Sequence, residues 1–206
     1  MTRAIACLLL AGTLACPQDL SVGKILIASR KSRDADFAQT VILLVRHDQQ
    51  ATIGLFVNRP FNIPLSEVYP EFKGGQMKLY AGGPVTVGIR ALHRSRAKLE
   101  GATRIFDDVS MISTKTLLGK MVEAGTPSSV FRVYAGYTGW SPGQLPDEIA
   151  RGLWHVFAGD ASVVFDPRPE TLWSRLIGRL ARGQSFQDAE HVREIVRPDA
   201  ELGVGF

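Results

Sequence analysis

An α+β fold built on a largely antiparallel sheet is predicted for this 206-residue chain by three observations. Runs rich in Ile, Val and Leu come early, at 24–29, 40–46 and 52–57. Short polar stretches of hairpin length separate them. Helical periodicity is found later, in segments of their own rather than alternating with each strand. With 45% apolar residues the chain can bury one sizeable core, and its length fits a single domain. No repeat or low-complexity tract interrupts it.

The first element is a leader. Arg3 is followed by an apolar run from Ala4 to Ala15 and then by Cys16-Pro17-Gln18-Asp19, the three-part layout of an export signal. The run is too short to span a bilayer, which takes about 20 apolar residues. Thr13-Leu14-Ala15-Cys16 is similar to the cleavage box of bacterial lipoproteins, so residues 1–15 read as a signal peptide and Cys16 as the candidate lipidation site. Cleavage after Ala15 without lipid, and a start codon placed too early with no export, are the alternatives. The only two cysteines are Cys7 and Cys16, so the body of the chain after Cys16 has no thiol for a disulfide or a metal. An acyl chain on Cys16 would hold the protein at a membrane, each buried CH₂ adding about 0.8 kcal/mol. Residues 16–22 form a polar linker.

The formal charge of +4 is a mild excess, reduced by one if Arg3 leaves with the leader, and it falls well short of the basic stripe of a nucleic-acid binder. An exported protein would not meet the chromosome in any case.

After the three early strands, further β runs are expected at 77–81, 85–93, 129–137 and 161–165. One helix is marked by Ser113 or Thr114 as N-cap, Leu117, Leu118, Met121 and Val122 on one face, Gly125 as the stop and Pro127 beyond it. A second follows the Gly-rich segment near 141. Its start is ambiguous: Ser141 and Gln144 have capping-box spacing with Trp140 and Leu145 as a staple, yet Pro146 would disrupt a helix begun at Pro142. Either the first turn is irregular or the regular helix starts at Pro146. A third helix is expected over about 169–181, with Trp173, Leu176, Ile177 and Leu180 on one side and Arg175, Arg179 and Arg182 on a basic face. That face would be solvated, or would lie against anionic headgroups. The tail, 183–206, offers little apolar surface beyond Pro198.

Three loops carry unusual turn chemistry. In Gly54 to Pro60, Asn58 tolerates turn dihedrals and Arg59 precedes a proline; its guanidinium would meet an anion or shape the turn as a surface ion pair. In Tyr80-Ala81-Gly82-Gly83-Pro84, paired glycines permit positive φ or close backbone approach, as a plain turn or as a set of N–H groups for a phosphate. In the run from Tyr134 to Ile149, Tyr137, Trp140, Gln144 and Glu148 are the chemically distinctive side chains. The candidate binding residues are therefore Asn58, Arg59, Gly82, Gly83, Pro84, Tyr137, Trp140, Gln144 and Glu148.

Residues 23 to about 175 resemble the YqgE/AlgH family, the DUF179 or UPF0301 group. The resemblance rests on Gly23-Lys24-Ile25-Leu26-Ile27-Ala28, Asp34 with Phe37, Arg46-His47-Asp48, Gly54 to Pro60, Gly82-Gly83-Pro84, and Gly136-Tyr137-Thr138-Gly139-Trp140 with Gly143-Gln144-Leu145 and Glu148. Arg30 and Ala35 stand where prolines are usual in the family, and Arg46 and Pro146 where Glu is usual; the leader is a further departure from a group whose members are typically cytoplasmic. The resemblance implies one domain over 23–182, a bent, barrel-like sheet flanked by helices. It supplies no catalytic residues, and the transcriptional-regulator label of some members does not fit an exported chain.

No His-Glu-x-x-His, Gly-x-Ser-x-Gly or Gly-x-x-x-x-Gly-Lys motif is present, and His47, His93, His155 and His191 fall in unrelated segments. No metal site and no cofactor are expected. A fold could still gather His47, Asp48, Arg59, Tyr137 and Glu148 into a cleft, which would make the chain a hydrolase or transferase. The expectation taken forward is a non-enzymatic, envelope-associated domain that binds an unidentified protein or small ligand through the loops around Asn58, Gly83 and Trp140. A cytoplasmic regulator is the first alternative and an enzyme the second.

Overall fold

The computed structural model describes residues 20–72 and 77–183; the leader with Cys7, most of the linker with Cys16, and the tail from 184 on with His191 lie outside the described residues. Three strands at the centre explain why the early runs are so continuously apolar. In β1 (Ile25–Ala28) and β2 (Val41–His47), alternate residues enter different cores. Ile25, Ile27, Val41, Leu43 and Val45 pack on one face, while Leu26, Ala28, Ile42 and Leu44 pack on the other. A strand covered on both sides has no polar face to alternate with. β3 (Thr52–Phe56) continues the pattern.

β4 (Pro60–Pro64) and the single-turn α1 (Leu65–Val68) follow, then β5 (Lys78–Ala81), β6 (Val85–Arg94), β7 (Ala102–Phe106) and β8 (Val109–Ile112). α2 (Lys115–Glu123) buries Leu118 and Val122, with Gly125 beyond it at φ 65°. The ten-residue β9 (Phe131–Trp140) is the spine of the sheet. One of its edges carries β5 and then β3; the other carries β6. The long order is β10-β1-β2-β3-β9-β6-β8-β7, with β4 paired to β5, and β5 with β9 is the parallel pairing among otherwise antiparallel ones described. The sheet curls into a half-barrel, an α+β fold flanked by helices.

α3 (Gln144–Ala150) settles the Pro146 ambiguity: the helix begins at Gln144 after Gly143 in a left-handed conformation, so Pro146 falls in the first turn, where a missing N–H leaves no bond unmade. Only half of the expected capping box forms, with Gln144 Oε1 accepting from the Ser141 N–H at 3.2 Å. β10 (Trp154–Phe157) then pairs with β1.

The strand expected at 161–165 is instead a helix, α4 (Ala161–Val164). Asp160 caps it, its Oδ1 accepting from the Ser162 N–H and hydroxyl, both at 2.7 Å. A short apolar run reads equally well as either element, and the cap decides it. α5 (Pro169–Ala181) lays Leu172, Leu176 and Ile177 on the β1–β2 face. The basic face expected on α5 is corrected as well. Arg179 is buried, and the partly buried Arg175 donates to the buried carboxylate of Asp166 at 2.6 Å, so of the three cations only Arg182 stands fully exposed.

Candidate functional site

Asn58 follows β3 and is 6% exposed. Its Oδ1 accepts from the Val41 N–H at 2.8 Å and its Nδ2 donates to the Gln39 carbonyl at 2.9 Å. Gln39 has φ 58°, so one amide clamps a backbone turn that a non-glycine residue adopts only under constraint. Arg59 works on the same segment. Its Nη2 donates to the Ala38 carbonyl at 2.8 Å, and its guanidinium lies 5.2 Å over the Phe56 ring. Partial burial pushes its pKa down, opposed by the nearby Asp36. Both side chains therefore shape the 37–40 turn.

Gly82 is held between two strands: its N–H donates to Ala135 O at 2.7 Å and its carbonyl accepts from the Phe56 N–H at 3.0 Å. The Ala81 N–H donates to Arg59 O at 2.8 Å, which joins the first two candidate loops directly. A Cβ on Gly82 would overlap the Gly136 carbonyl, and one on Gly83, at φ 154°, would overlap the backbone of Tyr137 and Thr138. The glycine pair thus serves close approach of one backbone to another. The Asn58 and Gly83 loops meet along a seam against Gly136 of β9, whereas Trp140, expected beside them from the sequence, does not join them.

Trp140, Gln144 and Glu148 form a separate group at the far end of β9. Oε2 of Glu148 accepts from both Trp140 Nε1, at 2.9 Å, and Trp154 Nε1, at 2.7 Å; Oε1 accepts from Gln144 Nε2 at 3.0 Å. Phe37 fits among these rings, 5.8 Å from Phe56 and Trp154 and 6.2 Å from Trp140. Gln144 also reaches the surface, where it lines a depression with Asp147, Ala150 and Arg151.

The possible catalytic set is dispersed. His47 bonds Thr52 across the β2–β3 turn at 2.8 Å, and Asp48 accepts from Arg46, Gln50 and Ala51 in that turn, which holds its pKa down to about 2. Arg59 lies beyond the opposite end of β3. Tyr137 packs against the β1–β2 core under the guanidinium of Arg90, 4.8 Å away, whereas Trp140 and its carboxylate partner face the other core.

Sequence reading missed the buried polar cluster. Arg132 donates to the carbonyls of Val164, at 2.9 Å, and Asp166, and it stacks on Tyr80 at 4.9 Å and Phe165 at 5.7 Å. The Tyr80 and Tyr134 rings are 5.4 Å apart, and complete burial drives the Tyr134 phenol well above its ordinary range. An Arg inside an apolar strand at 131–135 was the available signal.

Comparison with known proteins agrees with this architecture. A family model described as DUF179, AlgH-like, matches residues 25–184. A UPF0301 protein of Chlorobium limicola is 32% identical over 161 residues, covering 77% of this chain and 86% of that protein. Another, of Chlorobium phaeobacteroides, is 30% identical over 181 residues, covering 86% and 95%. The solution structure of the AlgH protein from Pseudomonas aeruginosa aligns with a TM-score of 0.64 at 32% identity, over 77% of this chain and 87% of that one. A crystal structure of a protein from Corynebacterium diphtheriae aligns at 0.65 with 28% identity, over 82% and 90%. The matched range takes in the seam and the Glu148 group alike, and the chain belongs to the YqgE/AlgH family, the AlgH-like DUF179 or UPF0301 group.

Proposed function

We propose that this protein is a non-enzymatic binding domain of the cell envelope, held there through its N-terminus, and that it receives a partner beside the seam of the Asn58 and Gly83 loops. One observation carries the binding reading. Phe61 and Ile63, 39% and 37% exposed, come two and four residues after Arg59, while Val85 and Val87, 37% and 64% exposed, come one and three residues after Pro84. Large apolar side chains left in water along strands that leave a rigid seam suit protein recognition. The polar atoms of Asn58 and Glu148 are committed to internal hydrogen bonds, which favours a scaffold over a reacting centre. The envelope reading is supported by Arg3, the run from Ala4 to Ala15 and the junction at Cys16.

Two measurements test the two halves. Mass spectrometry of the protein from its native cells is expected to find a diacylated Cys16 as the first residue; an intact Met1 defeats the envelope assignment. A photo-crosslinking residue in place of Phe61 or Val87 is expected to trap a protein partner in cells, while one in place of exposed Glu123 does not. Equal trapping at all three sites, or none, defeats the binding assignment.

A further inference from the structure

Strand β6 is longer than the strand that covers it. The β8 ladder pairs only with Ala91 to Arg94, so Val85 to Arg90 has no strand on that side among the described residues, although β9 lies along the other side. The register with β9 slips between Val85 and Ile89, where Gly88 has φ 84°, and this bulge turns Val85, Thr86 and Val87 outward. Bare strand edges present main-chain donors and acceptors to another chain. At the inner end of the edge stands Arg90. Its guanidinium is stacked on Tyr137, its Nη1 is buried without a hydrogen-bond partner, and no acceptor for it is found among the described residues. A buried donor without an acceptor is costly to keep, and Arg90 is otherwise partly exposed, so a partner's carboxylate can reach the guanidinium.

We infer that the uncovered edge Val85 to Arg90 receives an extended segment of a partner protein that carries apolar side chains beside Val85 and Val87 and a carboxylate opposite Arg90. Main-chain pairing along the edge gives affinity, and alternate side chains give the choice of partner. Directly opposed side chains on one face of a sheet approach to about 5 Å, within reach of a carboxylate-to-guanidinium bond. A second copy of this chain is a poor occupant: β6 reads Val-Thr-Val-Gly-Ile-Arg-Ala-Leu-His-Arg and has no acid to offer Arg90. The inference rests on the binding-domain reading above and gives it a place and a chemistry.

The test uses the full chain and two fluorescein-labelled peptides, Thr-Val-Glu-Val-Thr-Val-Thr-Val, whose antiparallel register sets Glu opposite Arg90 and valines opposite Val87 and Val85, and its counterpart with Gln in place of Glu. Anisotropy is expected to show the Glu peptide bound about tenfold more tightly than the Gln peptide. Arg90→Gln removes that preference, and Val87→Pro, at an exposed position, weakens both peptides because proline cannot donate from the edge. Hydrogen exchange is expected to slow at Thr86 to Arg90 when the Glu peptide is added. Equal affinity of the two peptides overturns the proposal. Slowing confined to Phe61 to Ile63 also overturns it, while leaving the binding-domain reading intact. Absence of binding by either peptide overturns the β6 site too, and the binding-domain reading falls with it only if the crosslinker at Phe61 and Val87 also traps nothing.

Discussion

Trp140 and Trp154 meet edge to face, their ring centroids 6.1 Å apart at 83°, and both indole N–H groups point at one oxygen of Glu148. The arrangement ties the end of β9 to β10 through α3. Removing the carboxylate leaves two indole donors unsatisfied in a partly buried site. Glu148→Ala is expected to lower unfolding free energy by about 3 kcal/mol, and Glu148→Gln by about 1 kcal/mol because an acceptor remains. Urea denaturation followed by Trp fluorescence checks both, and equal losses for the two variants would contradict the shared-acceptor account.

Gly136 and Gly143 both have positive φ, at 74° and 82°, but their surroundings differ. A Cβ on Gly136 would overlap the Val85 carbonyl, whereas nothing lies within 4 Å of one on Gly143. Gly143→Ala is expected to cost about 1 kcal/mol, the strain of a left-handed alanine. Gly136→Ala is expected to cost more than about 4 kcal/mol, because two strands must part. Chemical denaturation measures both, and similar losses would show that dihedral strain alone sets the cost.

Asp166 is 1% exposed and accepts from Arg175 Nη2 and from the Arg168 N–H. Asp166→Asn leaves a largely buried guanidinium without its counter-charge and is expected to destabilise by about 3 kcal/mol. Arg182→Gln, at the exposed end of α5, is expected to change stability by less than about 0.5 kcal/mol. The contrast, read from denaturation midpoints, separates an interior cation on α5 from a surface one.

His93 and His155 have their pKa values pushed below the ordinary 6.5 by burial, with Arg104 adding to the effect on the first and Lys31 on the second. The unfolded chain therefore takes up protons first as pH falls. Well above 6.5 both states are neutral and the two rings do not affect stability; below it, the folded state loses ground. The midpoint of urea unfolding is expected to fall between pH 7 and pH 5.5 in the unaltered chain, and to fall less in a His93→Gln, His155→Gln variant. An identical decline in both proteins would assign the pH dependence to other groups.

The strands at 25–28, 41–47 and 52–56 could be read from the chain because both faces are buried, so nearly every residue must be apolar. The edges were harder. β7, with only Ile105 buried, and the exposed β4 have no periodic signal strong enough to mark them. The Gly-Gly and Gly-Tyr-Thr-Gly segments announced themselves as special, but a glycine needed for close approach looks the same in sequence as one that frames a ligand. Arg175 and Arg179 illustrate the opposite failure: helical spacing assigned them a face of their own, yet a buried carboxylate drew Arg175 inward.

Composition and local pattern alone determined an α+β class, its central strands, two of its longer helices and the loops where the backbone is unusual, since each depends on neighbours a few residues apart. Only the tertiary structure decided that Asn58 clamps Gln39, that Glu148 serves two tryptophans, and that β6 outruns β8, with Nη1 of Arg90 lacking an acceptor among the described residues. Those outcomes depend on which strands lie side by side and where each ladder stops. That information comes from burying several elements together, and no single segment carries it.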